Sequence, residues 1–298
     1  MRRFVLAALL LAASSTQPAA ARTIRVAYAG AMGVVMDHVI GPAFAKENAA
    51  TYQGIGQGAY ALARLIAAKR LSADVFISIT PGPVKILSKA GLIDQAVPVA
   101  STAMVIAYSP KSRFAAAFAG GTPWWQVLES RGLRFGRTDP KTDPQGQNIV
   151  FTMLLAERYY HEPGLARRIL GPLLNPAQIF TEPSILSRLE AGQIDASSAY
   201  ESAVLSHHLP FVRLPDEINL SNPAMDKAWY STVHFSLPGP NGQPHELGTE
   251  PLVFYAAALK NAPRPALAQR FVKFLLSPAG RQAFAATGYG KPKGGPIR

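Results

Sequence analysis

The amino-acid sequence predicts an α/β fold made of two doubly wound lobes. Apolar strand patterns alternate with amphipathic helix patterns through nearly all of the 298 residues, as in sheets that carry helices on both faces. A single sheet that held every predicted strand would be very large, so two lobes are expected. The hydrophobic content of 48% supplies enough apolar side chains for their cores.

The first 21 residues are predicted to be a secretory signal that precedes the fold. Arg2 and Arg3 form a basic start, residues 4–13 are an apolar run too short to span a bilayer, and alanines at 19–21 make a small-residue cleavage site. The sequence has no cysteine, which excludes disulfides, thiol catalysis and a lipid-modified cysteine after cleavage. We therefore expect an unanchored protein of the bacterial periplasm.

The chain carries a formal net charge of +12 at pH 7, and two of the positive charges belong to the predicted signal. No run of basic residues with interleaved aromatic residues occurs, so a nucleic-acid partner is not expected. The positive field favours a small anionic ligand or an anionic membrane surface. A proteome of basic proteins would produce the same charge, so the charge alone does not choose between these interpretations.

Three strand-to-helix units are predicted in the first part of the chain. Residues 23–28 alternate as a strand and run through a glycine turn into a helix. A second strand at 51–55 is followed by glycines that open a loop into an amphipathic helix at 59–70. This loop lacks the Lys-Ser or Lys-Thr ending of a phosphate loop, so a tight turn is the simpler interpretation. A third, buried strand over 73–79 places Ser78 at its carboxyl end.

A second series of elements is predicted after the first three units. A strand over 100–108 is followed by small residues and turn formers at 109–122, which suit a crossing between lobes. Residues 196–204 read as a strand with several polar side chains, which either line a cleft or form a polar outer face. An apolar strand at 251–259 then returns the chain to the first lobe. The predicted domains are 1–21 for the signal, 22–107 and 253–298 for one lobe, and 108–252 for the other.

The stretch 133–147 reads as a strand end that runs directly into a helix start. A short apolar run closes at Gly136, two Asp-Pro pairs follow, and apolar positions then recur at helical spacing from Ile149. Asp143 is the expected N-cap and Pro144 the first helical residue, where its missing N–H costs nothing. The N–H groups of a helix start attract anions. Asp143 is therefore either a structural cap alone or part of an anion site.

Several short stretches stand in a characteristic order along the chain, namely residues 28–32, 54–58, 72–78, 103–108, 135–146 and 192–202. Together they resemble the molybdate/tungstate-binding proteins of ABC importers, especially the tungstate type. The resemblance implies a type II periplasmic binding fold, in which two lobes are joined by hinge strands and hold an oxyanion between them. It also implies a monomeric, non-enzymatic subunit without a cofactor, which delivers its ligand to an ABC permease in the inner membrane.

The same resemblance implies a ligand site made by Ala31, Gln57, Gly58, Ser78, Asp143, Tyr200 and Glu201. Ser78 matches a hydroxyl that donates to the oxyanion, and Asp143 matches a carboxylate that approaches the metal centre of the ion. The second carboxylate of the family comes just before its tyrosine, where this chain has Ala199. Residues two apart share a strand face, so Glu201 is expected to take that role. Family serines are missing at Ala31 and near Gly58, which removes hydroxyl donors.

A carboxylate beside an oxyanion is expected only under particular conditions. Two unit charges 4 Å apart repel by about 4 kcal/mol at an effective dielectric constant of 20. Asp143 and Glu201 are therefore expected to contact the ion only by bonding its metal centre, or when protonated. Hydroxyls, backbone N–H groups and helix starts need no such condition, because the oxygens of an oxyanion only accept hydrogen bonds.

Other ligands and activities stay open on the sequence alone. Ferric ion is an alternative because Tyr200 and His207-His208 lie near predicted strand ends, although adjacent side chains point apart. Sulfate or a small organic anion is another, since Ala31 and Gln57 leave a pocket with fewer hydroxyls. An exported hydrolase that uses two carboxylates is the last. The sequence has no Gly-x-Ser-x-Gly or His-Glu-x-x-His motif, so an enzyme is not expected.

Overall fold

A computed structural model describes residues 22–239 and 242–298 of the protein. The predicted secretory signal at 1–21 lies outside these described residues. Within the described ranges, no helix is both long and apolar enough to cross a bilayer. Two β-sheets, each covered by helices, form the framework of the fold.

The strands and helices alternate along most of the chain, as the sequence predicts. The strands are β1 (Arg22–Ala29), β2 (Ala50–Gln57), β3 (Val75–Ser78), β4 (Val97–Ser101), β5 (Met104–Tyr108), β6 (Phe135–Gly136), β7 (Ala196–Tyr200), β8 (Phe211–Arg213), β9 (Phe235–Pro238), β10 (Pro244–Leu247) and β11 (Val253–Ala258). The helices are α1 (Gly41–Glu47), α2 (Ala59–Ala67), α3 (Pro81–Lys89), α4 (Ala115–Ala119), α5 (Trp124–Leu128), α6 (Pro144–Tyr160), α7 (Leu165–Leu170), α8 (Glu182–Ala191), α9 (Glu201–Ser206), α10 (Pro265–Leu276) and α11 (Pro278–Ala286).

The larger sheet, which we call the sheet of lobe 1, has the strand order β2-β1-β3-β11-β4. β1 runs parallel to β2 and β3, while β11 is antiparallel to β3 and β4. Helices α2 and α10 pack against this sheet, and β3 is buried along its whole length. A strand that is covered on both sides needs apolar residues at successive positions, which explains the continuous apolar run that predicts it.

The smaller sheet, which we call the sheet of lobe 2, has the strand order β6-β7-β5-β8. β6 and β7 are parallel, whereas β5 is antiparallel to both of its neighbours. Helix α6 packs against β5 and β7 and is buried over most of its length. This helix is therefore the central packing element of lobe 2.

The apolar run predicted as one strand over 100–108 is two strands, and this prediction was wrong. β4 belongs to lobe 1 and β5 to lobe 2. Between them, the Thr102 N–H donates to the Leu252 carbonyl (3.3 Å), and the Thr102 hydroxyl accepts from the Ser202 N–H (3.1 Å). These partners are distant in sequence, so the local pattern contained no sign of the break. A lobe boundary at residue 107 falls inside a strand of the smaller sheet.

The strand predicted over 196–204 is shorter than expected. β7 ends at Tyr200, and helix α9 begins at Glu201. The Glu201 N–H donates to the Ala103 carbonyl (2.8 Å), and the chain turns away from the sheet at this point. The argument that Glu201 shares a strand face with residue 199 was therefore wrong, because Glu201 is not part of the strand.

The C-terminal tail lies along β4, the edge strand of lobe 1. The N–H and carbonyl of Ala96 both bond Ile297 (2.8 and 2.9 Å), and those of Ser101 both bond Gly290 (3.0 and 2.9 Å). An uncovered edge strand exposes a row of unpaired N–H and C=O groups. The tail therefore covers part of an edge that would otherwise be open to other chains.

Candidate ligand-binding cleft

The parallel strands of each lobe end together at one edge of their sheet. In lobe 1, the neighbours β1, β2 and β3 end at Ala29, Gln57 and Ser78. In lobe 2, the parallel strands β6 and β7 also end at a common edge of their sheet. The Gly58 that follows β2 contacts the loop that follows β6. The two edges therefore face each other, which is where open α/β sheets hold their ligands.

A cavity of about 600 Å³ lies between these two edges, and we call it the main cavity. Lobe 1 contributes the end of β2 and the start of α2. Lobe 2 contributes the loop between β6 and α6 together with the segment that leads into α8. The lining residues are Gly56, Gln57, Gly58, Ala61, Thr138, Asp139, Thr142, Asp143, Ile179, Phe180, Thr181 and Pro183.

Gly58 brings the main chain of lobe 1 close to lobe 2 in this cavity. A methyl group built on Gly58 would lie 2.9 Å from the Thr142 carbonyl oxygen and 3.4 Å from Asp143 Oδ2. Real Cβ atoms do not come that close to a carbonyl oxygen, so glycine permits the contact. A second contact joins the lobes nearby, where Arg64 Nη1 donates to the Lys141 carbonyl (3.1 Å).

Asp143 is the N-cap of α6, as the sequence predicts, and Pro144 is the first helical residue. Asp143 Oδ1 accepts a hydrogen bond from the Gln145 N–H (2.7 Å), and the residue is only 4% exposed. The other oxygen, Oδ2, lies on the side of Gly58. Asp143 is therefore both a helix cap and a residue of the cavity wall, so the two interpretations made from the sequence do not exclude each other.

Tyr60 links the end of β3 to the start of α6. Burial raises the pKa of its hydroxyl, while hydrogen bonds with the Thr80 and Gln147 side chains act in the opposite direction. Gln147 Nε2 in turn donates to the Pro140 carbonyl (2.8 Å) in the lobe 2 loop. The edge of lobe 1 and the helix start of lobe 2 thus share one hydrogen-bonded group.

A second, smaller cavity of about 240 Å³ lies beside the main cavity, and Pro183 lines both. Ala31 lies here, together with Asp37, His38 and Gln145. The sequence therefore placed Ala31 at the correct edge, but the structure assigns it to a different hollow from Gln57, Gly58 and Asp143. The Tyr289 hydroxyl donates to the Ala31 carbonyl (3.2 Å) and anchors this turn.

Asp37 in the second cavity is held by two tyrosines that the sequence reasoning missed. Tyr28 Oη donates to Asp37 Oδ2 (2.5 Å), and Tyr52 Oη donates to Asp37 Oδ1 (3.0 Å). Burial raises the pKa of both tyrosines well above the usual value, and the neighbouring carboxylate adds to the effect. Both hydroxyls therefore stay protonated at neutral pH and remain donors to Asp37.

Ser78 and Tyr200 lie at the predicted strand ends but do not line either cavity. The Ser78 hydroxyl is buried, donates to the Thr80 carbonyl (3.0 Å) and accepts from the Thr80 N–H (3.4 Å). Tyr200 is fully buried, and its hydroxyl accepts from Asn148 Nδ2 (3.1 Å) on α6. In this conformation Ser78 shapes the turn after β3, and Tyr200 supports α6 from behind.

Glu201 lies outside both cavities and forms an ion pair with Arg213 on β8. The carboxylate is 2.8 Å from Arg213 Nη2 and 3.0 Å from Arg213 Nε. Its side chain therefore has a partner on the edge strand of lobe 2. A role of Glu201 beside a bound ion stays a prediction.

Thr138 is a cavity residue that the sequence reasoning did not select. It lies between β6 and α6 among the residues that line the main cavity, and it is 1% exposed. The only signal in the sequence is its place between a strand end and a helix start, where ligand-binding residues of α/β folds collect. Many residues share that signal, so the position alone did not identify Thr138.

The described residues contain no cluster of three or more His, Cys, Asp or Glu side chains able to hold a metal ion. His207, which was considered as a ligand of ferric ion, instead bonds Glu190 through Nδ1 (2.7 Å). The polar side chains of the main cavity are threonines, Gln57 and the carboxylates of Asp139 and Asp143. The second cavity has the side chains of Asp37, His38, Gln145 and His207.

A comparison with known protein families shows which family has this sequence pattern. The sequence matches the model of bacterial extracellular solute-binding proteins over residues 24–290. The chain belongs to this family. The matched region begins in β1 and ends at the tail residue that bonds Ser101, so it contains both sheets and both walls of the cleft.

Named relatives of this solute-binding protein include the molybdate/tungstate-binding protein of Pyrococcus abyssi, which is 31% identical over 206 residues, covering 62% of this chain and 58% of that protein. A solute-binding protein of Petrotoga mobilis is 30% identical over 192 residues, covering 63% of this chain and 59% of that protein. This chain thus spans about three fifths of the length of each relative.

Among solved structures, the periplasmic molybdate-binding protein of Azotobacter vinelandii superimposes with a TM-score of 0.62 at 14% identity. The superposition covers 91% of this chain and 100% of that chain. An identity this low concerns the fold alone. The likeness confirms the predicted type II periplasmic binding fold.

Proposed function

We propose that this solute-binding protein is the substrate-binding subunit of an ABC importer that captures a tetrahedral oxyanion, molybdate or tungstate, in the cleft between its lobes. The observation that carries the proposal is the meeting of two helix starts, one from each lobe, at Gly58 and Asp143 in one cavity. The relative of Pyrococcus abyssi, named as molybdate/tungstate-binding, supports the choice of ion.

The chemistry of the cavity suits an oxyanion. α2 begins just after Gly58 and α6 just after Asp143, so the positive ends of both helices lie at the main cavity. In the first turn of α6, Pro144 has no N–H and the Gln145 N–H donates to Asp143 Oδ1, so the start of α2 supplies most of the main-chain donors in this proposal. Each hydrogen bond to a charged ligand contributes about 1.5–3 kcal/mol. Several such bonds from neutral donors hold an anion without a countercharge, which favours ions whose oxygens all accept hydrogen bonds.

Asp143 is compatible with a bound oxyanion because one of its oxygens is already committed to the helix. Oδ1 accepts from the Gln145 N–H, so the carboxylate charge is partly stabilised by the positive end of α6. Oδ2 is the oxygen on the cavity side. We propose that it approaches the metal centre of the ion, where a carboxylate oxygen acts as a ligand rather than as a repelling charge.

The two chain segments that connect the lobes support the proposed delivery of the ion. The chain crosses from lobe 1 to lobe 2 between β4 and β5 and returns just before β11. The two crossings lie side by side, because Thr102 N–H donates to the Leu252 carbonyl. A pair of short adjacent crossings suits hinge closure around a ligand. We propose that the closed, monomeric form docks on a permease of the inner membrane from the periplasm and performs no catalysis.

Titration calorimetry tests this function directly. The protein lacking residues 1–21 is titrated with molybdate, tungstate, sulfate, phosphate and ferric citrate in separate runs. We expect saturable one-to-one binding of molybdate or tungstate and weaker binding of sulfate and phosphate. Binding of ferric citrate alone, or no heat with any oxyanion, would contradict the proposal.

A further inference from the structure

One buried hydroxyl in the lobe 2 wall of the cleft has no part in the hydrogen bonds of the fold. Thr138 is 1% exposed and lines the main cavity, yet its Oγ1 has no hydrogen-bond partner among the described residues. A buried hydroxyl without a partner destabilises the folded protein, and most such groups in native structures are satisfied. A ligand in the cavity that Thr138 lines is one source of the missing partner.

Thr138 lies directly at the start of α6. A methyl group built on Gly146 would lie 2.5 Å from the Thr138 carbonyl oxygen, so the main chain at residue 138 packs against the first turn of the helix. α6 has 17 residues, and its N-cap Asp143 lines the same cavity as Thr138. The unpartnered hydroxyl and the first turn of a long helix thus lie in the same wall of the cavity.

Other buried hydroxyls without a partner differ from Thr138 in their location. Thr152, Ser197, Ser202 and Thr249 are such residues, and none of them lines the main cavity. The lobe 1 part of the lining consists of Gly56, Gln57, Gly58 and Ala61, which carry no hydroxyl. Thr138 therefore combines three properties that no other residue of this set combines: a hydroxyl, no partner and a place in the cleft wall.

We propose that the Thr138 hydroxyl donates a hydrogen bond to the bound oxyanion and is a ligand-binding residue of the cleft. The inference rests on the proposed function, because it names a donor within the same site. On binding, the hydroxyl gains the partner that the folded protein does not supply. Binding should therefore depend on the hydroxyl, while the stability of the unliganded protein should not.

Substitutions of Thr138 test ligand affinity and the stability of the unliganded protein separately. Thr138→Val keeps the shape and removes the hydroxyl, Thr138→Ala removes it without any risk of overpacking, and Thr138→Ser retains it. Thr152→Val is the matched control, since Thr152 is equally buried and unpartnered but lies away from the cavity. Each variant is titrated with sodium molybdate and sodium tungstate, and its thermal unfolding is recorded without ligand.

We expect Thr138→Val and Thr138→Ala to raise the dissociation constant about 10- to 100-fold, the loss of one hydrogen bond to a charged ligand. Thr138→Ser and Thr152→Val should stay within about threefold of the original protein. Without ligand, Thr138→Val should unfold at the same or a higher temperature, because a methyl group replaces an unsatisfied polar group.

Two results overturn the inference, and they are distinguishable from each other. If the original protein binds molybdate or tungstate and both hydroxyl-free variants bind equally well, Thr138 is not a ligand-binding residue and the proposed function stands. If the original protein binds neither ion, the proposed function fails and the inference fails with it. A lower unfolding temperature of Thr138→Val with unchanged affinity would make Thr138 a structural residue.

Discussion

The two walls of the cleft present a ligand with different chemistry. Lobe 1 contributes two glycines and the exposed Gln57, so the main chain at the start of α2 supplies its donors. Lobe 2 contributes Thr138 and Asp143, which lie near the start of α6 and are both at least 96% buried. Under the proposed function, we expect one wall to act through its main chain and the other through side chains that the surrounding structure holds in place.

Under the proposed function, we expect this difference to divide the work between the walls, with capture of the ion at lobe 1 and selection of the ion at lobe 2. Main-chain donors follow from the geometry of a strand, a short loop and a helix, and they depend on residue type only where space is limiting, as at Gly58. Side-chain donors change with a single substitution. We therefore expect lobe 1 to tolerate most substitutions that leave its loop in shape, and lobe 2 to determine which ion is preferred.

The largest expected effect concerns the support of the lobe 2 wall. Arg137 is fully buried; its Nε donates to Gln178 Oε1 (3.1 Å), and its Nη2 donates to the carbonyls of Pro172 and Leu173 (3.0 and 2.8 Å). Burial lowers the pKa of Arg137, and Asp139 opposes that shift. Arg137→Met keeps the bulk and leaves these acceptors without a donor, so we expect a loss of about 2–3 kcal/mol in the free energy of unfolding.

Urea denaturation measures this loss, and Arg131→Met is the control. Arg131 is exposed, so its replacement should change the free energy of unfolding by less than about 0.5 kcal/mol. Equal stability of the two variants would show that the lobe 2 wall does not depend on a buried side chain, and the contrast between the walls would lose its basis.

A smaller effect is expected at the main-chain wall of lobe 1. Gly58 has φ −55° and ψ 121°, which alanine adopts without strain, so Gly58→Ala changes only the space between the lobes. The added methyl group meets the Thr142 carbonyl at 2.9 Å and should oppose closure. We expect binding of molybdate or tungstate to weaken about tenfold, equivalent to about 1.4 kcal/mol.

Calorimetry checks this expectation against Gly295→Ala, where a built methyl group meets no atom within 4 Å. The control should bind as the original protein does. Unchanged affinity of Gly58→Ala would mean that the two walls do not approach each other more closely in the bound form than a side chain allows.

The smallest effect is expected for the exposed side chain of the lobe 1 wall. Gln57→Ala leaves the main chain of the loop and the start of α2 unchanged, so the dissociation constant should change less than about threefold. A tenfold loss in the same titration would assign a side-chain contact to lobe 1 and remove the division between the walls.

Local signals predicted the cap of α6 well and the end of β7 poorly. Asp143 followed from an Asp-Pro pair before a helical pattern, and its capping bond to Gln145 is local as well. Glu201 did not follow, because the end of β7 is set by a bond from Glu201 N–H to Ala103 and its carboxylate is held by Arg213. Partners that are distant in sequence leave no periodic signal.

The fold shows the same division between local and distant information. Alternation of apolar strands and amphipathic helices predicted both lobes, since each pattern reflects burial of one element against its neighbours. The crossing between β4 and β5 was missed, because the apolar run continues through it and only the bond from Thr102 to Leu252 marks the change of sheet.

The sequence by itself determined the alternation of elements and the cap at Asp143, because these depend on residues within a few positions of each other. The tertiary structure alone decided which hydroxyls near the cleft have a hydrogen-bond partner within the described residues. The Ser78 hydroxyl donates to the Thr80 carbonyl in the turn after β3. The Thr138 hydroxyl, near the start of α6, has no hydrogen-bond partner among the described residues. Hydrogen-bond availability depends on every neighbour in space, and only the folded chain defines those neighbours.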